Sequence, residues 1–297
     1  MRDMLPQSVN TYLVRGLEEF WKQMSRNDRL HRVRNVMGDV VFRLICRYQE
    51  KQVALYTRFF RNPPLLDALT HLQLKGAGDG VLRVAILGCS DGAEVYSVAR
   101  TLRLAYPGVK VQCVGLDISE AAVLAAREGV WANDSKELEG LPAQMLDIMF
   151  DRKDGALVIK ESLREGVTFR VGDACDQRLL ETLGPQGLVM ANNFLVHLQD
   201  EVAEACIFNI EKLVVPGGVL VVWGVNLNIK TRAIKLLGLK PILGNLEDIY
   251  QADQAAIKAW PLKWWGLEPP DFTRSDWDVR YCTIFQKPEK LPQMLSV

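Results

Sequence analysis

A glycine-rich turn followed by an acidic residue is the part of this sequence whose residue types could bind a charged ligand. Gly88 and Gly92 enclose a turn between an apolar strand pattern and a helical pattern, and Asp117 ends the next apolar run. Glycine lets the backbone pass close to a ligand, and a carboxylate at the end of the second strand can accept hydrogen bonds from both hydroxyls of a ribose. The spacing therefore predicts a pocket for a ligand that contains adenosine.

The first residue of the predicted helix indicates which ligand that is. A dinucleotide site uses the helix N-terminus to hold a pyrophosphate and normally has a third glycine for close helix packing. Here the helix begins with Glu94, whose carboxylate would repel phosphate but attract a cation. S-adenosylmethionine (SAM) carries an amino group and a sulfonium, so the turn favours SAM over NAD.

A serine nucleophile is the competing interpretation of the same turn. Residues 88–92 also fit the G-x-S-x-G elbow of α/β-hydrolases, in which Ser90 would attack the substrate. Such an enzyme needs an acid and then a histidine later in the chain, and the only histidine after Ser90 is His197. His197 follows the next-to-last core strand pattern rather than the final strands, which disfavours this alternative.

Alternating strand and helix patterns around the turn predict a doubly wound α/β domain. The predicted strands cover 82–88, 111–117, 167–171, 187–192 and 219–225, and the predicted helices cover 94–105, 119–128 and 200–213. Strands separated by helices of this length form a parallel sheet with helices on both faces. Residues 156–159 and 167–169 are predicted to pair as a short accessory sheet.

Glycines and polar residues at 75–80 mark a predicted domain boundary. Helical patterns before this stretch predict a small helical domain over residues 1–74, and residues 75–297 are predicted to form the ligand-binding domain. Within the larger domain we expect one accessory insertion at about 130–166 and a helix-rich, tryptophan-rich insertion at about 226–279.

The tryptophan-rich insertion is predicted to precede a closing strand over 280–286. Asn245 is the expected N-cap of a helix that carries Ile249, Ile257 and Trp260 on one side. Four of the seven tryptophans fall in this insertion. We interpret them as a hydrophobic clamp on the core, and a lid over an organic substrate is the alternative.

Composition argues against several classes of protein. The 297 residues include 36 basic and 36 acidic side chains, so net charge gives no support for a nucleic-acid partner. Residues 1–62 nevertheless hold 12 basic and 6 acidic side chains, which predicts a basic surface. Six dispersed cysteines without a C-x-x-C pair indicate the reducing cytoplasm and no metal site. No apolar run approaches the roughly 18 residues that span a bilayer, so no integral membrane segment is predicted.

Three motifs in order resemble the signature of the CheR-type chemotaxis receptor methyltransferases. They are T-R-F-F-R at 57–61, G-C-S-D-G-A-E-V-Y-S at 88–97 and G-L-D-I-S at 115–119, and the resemblance extends over roughly residues 10–225. It implies a class I, Rossmann-like SAM-dependent methyltransferase domain, with a small helical N-terminal domain and a small β-subdomain near residues 155–170. The implied cofactor is SAM, and the implied product is S-adenosylhomocysteine.

The resemblance also implies roles for individual residues. Thr57 and Arg61 are expected at the methionine end of the cofactor, Glu94 at its amino group, Asp117 at its ribose and Asp173 near its adenine. The expected cofactor-binding residues are Thr57, Arg61, Gly88, Ser90, Glu94, Asp117, Ile118, Asp173, Ala174 and Asn192, and the expected catalytic residues are Arg61, Asn193 and His197.

The sequence departs from the family pattern where the acceptor is expected to bind. Members usually carry an arginine and a tyrosine where this chain has Asn192 and His197. A guanidinium would hold a substrate carboxylate through two hydrogen bonds, whereas a histidine can take a proton from a hydroxyl near pH 7. The departure therefore predicts O-methylation of an organic or amphiphilic small molecule.

Two alternatives to that function stay open. One is methyl esterification of a glutamate in a signalling protein, with an acidic protein partner that docks on the basic N-terminal domain. The other is a non-catalytic module that senses SAM or docks to a partner.

Overall fold

The described part of the chain contains ten strands, ten α-helices and two short 3-10 helices. The computed structural model describes residues 57–76, 79–252 and 270–289. The strands are β1 (Val81–Leu87), β2 (Lys110–Asp117), β3 (Val130–Ala132), β4 (Phe150–Lys153), β5 (Ala156–Ile159), β6 (Val167–Val171), β7 (Gln186–Asn192), β8 (Val214–Trp223), β9 (Lys240–Pro241) and β10 (Ile284–Gln286). The helices are α1 (Pro63–Thr70), α2 (Ala93–Ala105), α3 (Glu120–Glu128), α4 (Ala143–Met149), α5 (Glu161–Arg164), α6 (Leu179–Leu183), α7 (Asp200–Glu211), α8 (Leu227–Leu237), α9 (Leu246–Ala252) and α10 (Trp277–Tyr281).

The main sheet has its topological switch point at the glycine turn. Its strand order is β6-β2-β1-β7-β8-β10-β9, in which β10 runs antiparallel to both of its neighbours and the other paired strands run parallel. The chain winds outward in opposite directions from β1 and β7, and ligands bind at the carboxyl ends of strands at such a point. Leu87 at the end of β1 lies opposite both Leu116 and Ala191. This register brings the residues after β1, β2 and β7 to one edge of the sheet.

Both faces of the sheet are covered by apolar side chains, as the predicted doubly wound fold requires. Successive residues of a strand point to opposite faces. In β1, Val84 and Ile86 belong to one hydrophobic cluster, which also contains residues of α1 and α2. Ala85 and Leu87 belong to a second cluster, which contains residues of α7 and α8. The α/β fold class predicted from the alternating pattern is confirmed.

The two helices that follow β1 and β2 begin at residues suited to those turns. Gly92 is the residue before α2 and has φ of 88°, a left-handed conformation that favours glycine. Ser119 caps α3 by accepting a hydrogen bond at its Oγ from the backbone N–H of Ala122 at 3.3 Å. The helix ends at Glu128, and its C-cap Gly129 is also left-handed. These local signals explain why the boundaries predicted for the two helices lie within one residue of the observed ones.

The accessory sheet exists, but its predicted pairing was wrong. β5 pairs antiparallel with β3 and β4, whereas Val167–Val171 pairs parallel with β2 in the main sheet. Asp154 and Gly155 both have positive φ and join β4 to β5 as a hairpin. An Asp-Gly pair between two short strands is a strong hairpin signal, and it would have given the correct partner. The accessory β-subdomain therefore covers 130–159 rather than 155–170.

The closing strand is shorter than predicted. Arg280 and Tyr281 belong to α10, and only Ile284–Gln286 pairs with β8. The Tyr281 ring packs edge-on against Tyr250 of α9, with ring centroids 5.5 Å apart. Aromatic and branched residues in this stretch favour a strand by propensity, but the packing of Tyr281 beside α9 takes precedence.

Several predictions concern residues that the structure describes only in part. Phe59, Leu65 and Leu69 belong to the same core cluster as β1, and residues 1–56 lie outside the described residues, so the helical domain over 1–74 stays a prediction. α9 begins immediately after Asn245, whereas Ile257 and Trp260 lie outside the described residues. None of the described helices combines the length and apolar character needed to cross a membrane.

Candidate functional site

A cavity of about 130 Å³ lies at the carboxyl ends of β1, β2, β6 and β7. Every residue predicted for the site lines it: Thr57, Arg61, Gly88, Ser90, Glu94, Asp117, Ile118, Asp173, Ala174, Asn192, Asn193 and His197. Five other residues, which were not predicted, also line the cavity: Leu116, Gly172, Cys175, Phe194 and Leu198. Each of the five is adjacent in the sequence to a predicted site residue. That adjacency was the signal that could have identified them.

The glycine turn lies in a strained conformation against the cavity. Gly88, Ser90 and Gly92 have φ of 69°, 51° and 88°, and this region of φ is costly for a serine. A Cβ atom at Gly88 would lie 2.7 Å from the Cβ of Phe194, so the turn passes too close to the segment after β7 for any side chain there. Strain of this kind is concentrated at ligand-binding sites.

Asp117 is locked in place by two backbone groups. Its Oδ2 accepts a hydrogen bond from the N–H of Ser90 at 2.8 Å, and its Oδ1 accepts one from the N–H of Ser119 at 2.9 Å. Each carboxylate oxygen can accept a further hydrogen bond. A carboxylate that is 6% exposed and fixed at both oxygens is therefore preorganised to accept two hydroxyls of a ligand.

Asn192 and Glu94 form a direct contact in the cavity wall. The Nδ2 of Asn192 donates a hydrogen bond to Oε1 of Glu94. Because an ionised carboxylate only accepts hydrogen bonds, this contact fixes which end of the Asn192 amide faces Glu94. The buried Oδ1 of Asn192 then has no hydrogen-bond partner among the described residues.

Two further residues that line the cavity each have a buried polar atom without a hydrogen-bond partner among the described residues. Within the described chain, Ser90 Oγ and Asn193 Oδ1 also make no hydrogen bond. Most buried polar atoms in proteins are paired, so the unpaired oxygens on these three lining residues are available to a polar ligand or to water.

Three hydrogen bonds hold the segment that carries Thr57 and Arg61. The N–H of Phe59 donates to the carbonyl of Glu137 at 2.9 Å, and the N–H of Phe60 donates to Ser97 Oγ at 3.0 Å. Asn62 Nδ2 donates to the carbonyl of Ile249 at 3.0 Å. The segment is thus attached to the accessory subdomain, α2 and α9.

A smaller space of about 20 Å³ lies next to this segment and shares part of the cavity wall. Arg61, Glu94, Asn192 and Asn193 line both spaces, and Trp223 at the end of β8 lines only the smaller one. The asparagines therefore face two compartments of one site.

His197 lies at the end of a short 3-10 helix, Leu195–His197, and lines the cavity. The residue as a whole is exposed, yet the atoms packed around its ring lower its pKa below the usual value for histidine by desolvation. A lowered pKa keeps the imidazole neutral at pH 7, the state in which it can accept a proton. Asp173 is exposed, and its Oδ1 accepts a hydrogen bond from the N–H of Cys175 at 2.8 Å.

Comparison with known families identifies the kind of domain that contains this cavity. The family model described as CheR methyltransferase, SAM binding domain, matches residues 56–237. This chain belongs to that family. The resemblance stated from the motifs is confirmed, and the described fold is that of a SAM-dependent methyltransferase domain.

Two curated relatives are each described as a probable biofilm formation methyltransferase WspC. The relative from Pseudomonas putida KT2440 is 29% identical over 215 residues, which cover 69% of this chain and 49% of the relative. The relative from Pseudomonas aeruginosa PAO1 is 28% identical over 176 residues, which cover 58% of this chain and 41% of the relative. The chain thus spans about half the length, or less, of these relatives.

One solved structure with a similar fold is an O-methyltransferase family protein from Burkholderia thailandensis. The two sequences are 16% identical, and the match covers 89% of this chain and 61% of the Burkholderia chain, with a TM-score of 0.41. A likeness at this level says nothing about the substrate.

The side chains in the cavity of this CheR-type domain fit SAM. A carboxylate at Glu94 suits the cationic end of the cofactor, and the two fixed oxygens of Asp117 suit a ribose diol. The unpaired buried Oγ of Ser90 offers a further acceptor to a ligand that is rich in donors.

The charge at Glu94 can be tested separately from its shape. Glu94→Gln keeps an oxygen that can accept from Asn192 Nδ2 but removes the negative charge. We expect the Kd for SAM, measured by calorimetry, to rise about tenfold, since a hydrogen bond to a charged group contributes about 1.5–3 kcal/mol. S-adenosylhomocysteine also carries the amino group, so its Kd is expected to rise as well.

Glu120→Gln, which removes an exposed carboxylate in the first turn of α3, is the matched control. An equal loss of affinity in both variants would mean that general electrostatics, rather than contact with Glu94, holds the cofactor.

Proposed function

We propose that this protein transfers a methyl group from SAM to a hydroxyl oxygen of a small organic or amphiphilic acceptor. The observation that carries the proposal is the hydrogen bonding of the Asn192 side-chain amide. In place of the guanidinium expected from the family pattern, the cavity has an amide that donates to Glu94 and leaves its own oxygen unpaired.

The unpaired oxygens favour an acceptor that can donate a hydrogen bond. Asn192 Oδ1 and Asn193 Oδ1 would repel a carboxylate, which has only acceptor atoms at neutral pH. A hydroxyl can donate to either oxygen, and burying a polar atom without a partner costs about 1–3 kcal/mol. The wall formed by these two residues therefore suits an alcohol or a phenol better than an acid.

A bound SAM supplies an electrophilic sulfonium methyl group. The residues proposed to hold it are Thr57, Arg61, Gly88, Ser90, Glu94, Asp117, Ile118, Asp173, Ala174 and Asn192. Among these, Glu94 binds the amino group and Asp117 binds the ribose hydroxyls.

His197 acts as the general base in this proposal. Its lowered pKa leaves the imidazole neutral at pH 7, so a ring nitrogen can take the proton from the acceptor hydroxyl. Arg61 and Asn193 lie on the same cavity and orient the acceptor oxygen. Holding the oxygen in line with the methyl group is the other requirement of the reaction.

Methyl esterification of a glutamate in a protein is the second candidate. Membership of the CheR family and the presence of Arg61 in the cavity favour it, because a guanidinium can bind a carboxylate with two hydrogen bonds. A glutamate is already ionised at neutral pH, so this reaction would need alignment but no base at position 197. An acidic protein partner would dock on the basic residues of 1–62, which lie almost wholly outside the described residues.

A transfer experiment with methyl-labelled SAM separates these candidates. The protein is incubated with the labelled cofactor and a whole-cell extract, and the label is then partitioned between organic solvent and protein. We expect extractable label that resists mild alkali, because a methyl ether is stable under conditions that hydrolyse a methyl ester. Alkali-labile label on protein would favour the second candidate, and no label in either fraction would support the non-catalytic module. Asp117→Ala is the control for transfer that depends on the SAM site.

A further inference from the structure

We propose that Asp91 and Trp131 form a positioning pair through which the accessory sheet holds both walls of the SAM cavity. Neither residue lines the cavity, so neither is a catalytic or cofactor-binding residue. The inference concerns how the cavity keeps its shape, and it rests on the assignment of that cavity to SAM.

The first link joins the accessory sheet to the glycine turn. Asp91 lies between two left-handed residues of that turn, and its Oδ2 accepts a hydrogen bond from Trp131 Nε1 at 2.7 Å. Its Oδ1 accepts a longer hydrogen bond, 3.3 Å, from the N–H of Ala93 at the start of α2. Burial raises the pKa of the Asp91 carboxyl, and the hydrogen bond from Trp131 acts in the opposite direction. The indole N–H of Trp131 thus donates the shorter of the two hydrogen bonds that the partly buried Asp91 carboxylate accepts.

The second link joins the same indole to the cavity wall formed by the segment that carries Thr57 and Arg61. Trp131 is 5% exposed on β3, and its ring packs edge-on against Phe59 with ring centroids 4.9 Å apart. The N–H of Phe59 is also bonded to the carbonyl of Glu137 in the loop after β3. Phe59 lies midway between Thr57 and Arg61, which both line the cavity.

Both walls contain a residue whose backbone conformation needs outside support. Ser90 has φ of 51° in the glycine turn, and Phe60 has φ of 50° in the other wall. Non-glycine residues in this region cost about 1–3 kcal/mol and persist only where their surroundings hold them. Trp131 contacts the neighbour of each strained residue, so a single side chain couples the two walls.

A double-mutant cycle on SAM affinity tests the pair. The variants are Trp131→Phe, which removes the N–H but keeps an aromatic ring, Asp91→Ala, the double variant, and Asp91→Asn. Kd for SAM is measured by calorimetry at a temperature where each variant is folded. We expect each of the first two to raise Kd about tenfold, which is near the lower end of what the loss of a hydrogen bond to a charged group costs. The double variant is expected to bind no more weakly than Asp91→Ala, because that variant already removes the hydrogen bond from Trp131.

Two variants distinguish positioning from a general loss of stability. Asp91→Asn keeps one oxygen that accepts from Trp131 and loses only the longer hydrogen bond from the N–H of Ala93, so its Kd is expected to rise less than that of Asp91→Ala. Tyr96→Phe removes another buried hydrogen bond of the same aromatic cluster, from Tyr96 Oη to the carbonyl of Ala126 at 3.0 Å. It is expected to lower Tm but leave Kd unchanged.

Additive effects in the cycle, or equal losses of affinity in Tyr96→Phe and Trp131→Phe, would overturn the positioning role. Asp91→Ala leaves the aromatic cluster intact and keeps the test decisive if Trp131→Phe does not fold. Failure of the unaltered protein to bind SAM is a different result, which would overturn the cofactor assignment and this inference with it.

Discussion

Asp117→Ala is expected to raise the Kd for SAM by about a hundredfold or more. Two hydrogen bonds to a charged acceptor are lost at once, and each contributes about 1.5–3 kcal/mol. The glycine turn loses its anchor as well, because Asp117 Oδ2 accepts from the N–H of Ser90. Calorimetric titration with SAM and with S-adenosylhomocysteine checks this, and both ligands are expected to lose affinity to a similar extent since they share the ribose.

Asp117→Asn is expected to be nearly as damaging, although it has almost the same shape. Both carboxylate oxygens accept from backbone N–H groups, and an asparagine has only one acceptor oxygen. Its NH₂ group would face the N–H of either Ser90 or Ser119, so one donor would be unpaired. We expect thermal unfolding to show a loss of about 1–3 kcal/mol in the free energy of unfolding for this variant.

Asp173→Asn is the matched control for both changes at Asp117. Asp173 also lines the cavity, but it is exposed and a single backbone N–H donates to it, that of Cys175. The proposed contact of Asp173 is with the adenine and the residue is open to solvent, so the rise in Kd is expected to be smaller than in either Asp117 variant. If Asp173→Asn weakens SAM binding as much as Asp117→Ala does, the negative charge of the cavity as a whole binds the cofactor, and the ribose contact proposed for Asp117 is wrong.

The parts of the site that follow from local sequence were predictable. A strand that ends in glycine, a helix that begins with an acid and a second strand that ends in Asp117 are adjacent in sequence, and parallel pairing of β1 with β2 brings them together. The same applies to the ends of β2 and β6. Once the sheet is parallel, the chain order alone places these residues at one edge.

Contacts between distant segments were not predictable in the same way. Asn192 and Glu94 are 98 residues apart, and their contact depends on the register between β1 and β7 and on the turn at Gly88. Trp131 and Asp91 are 40 residues apart, and their contact depends on the hairpin of the accessory sheet, whose partner the sequence analysis assigned wrongly. A residue pattern indicates that a side chain is polar and near a strand end, but only packing determines which group it meets.

His197→Gln is expected to lower kcat about a hundredfold or more while the Kd for SAM stays within a factor of two. A positioned general base contributes roughly 10²–10⁴ to the rate, and glutamine keeps polar atoms of similar reach but cannot take the proton. His197 lines the cavity and is not among the residues proposed to hold SAM, so cofactor binding is not expected to depend on it. An esterification of an ionised carboxylate would lose little rate in this variant.

The pH dependence gives the sharper readout for His197. Desolvation lowers the pKa of His197, so the neutral imidazole is expected to persist below the usual histidine pKa of about 6.5. The rate of the unaltered protein should then be constant near pH 7 and fall as the pH drops through this lowered value. His197→Gln should show a flat, low rate over the same range. A falling limb that survives the substitution would exclude His197 as the base.

Acid unfolding has to be separated from loss of the base, because the same desolvation acts on stability. A histidine whose folded-state pKa lies below its unfolded-state value binds more protons when unfolded, so stability is lost as the pH falls below the unfolded-state pKa. Circular dichroism across the pH range identifies this contribution. A rate that falls while the protein stays folded reports the protonation of His197, and together with label that resists alkali it would exclude a carboxylate acceptor.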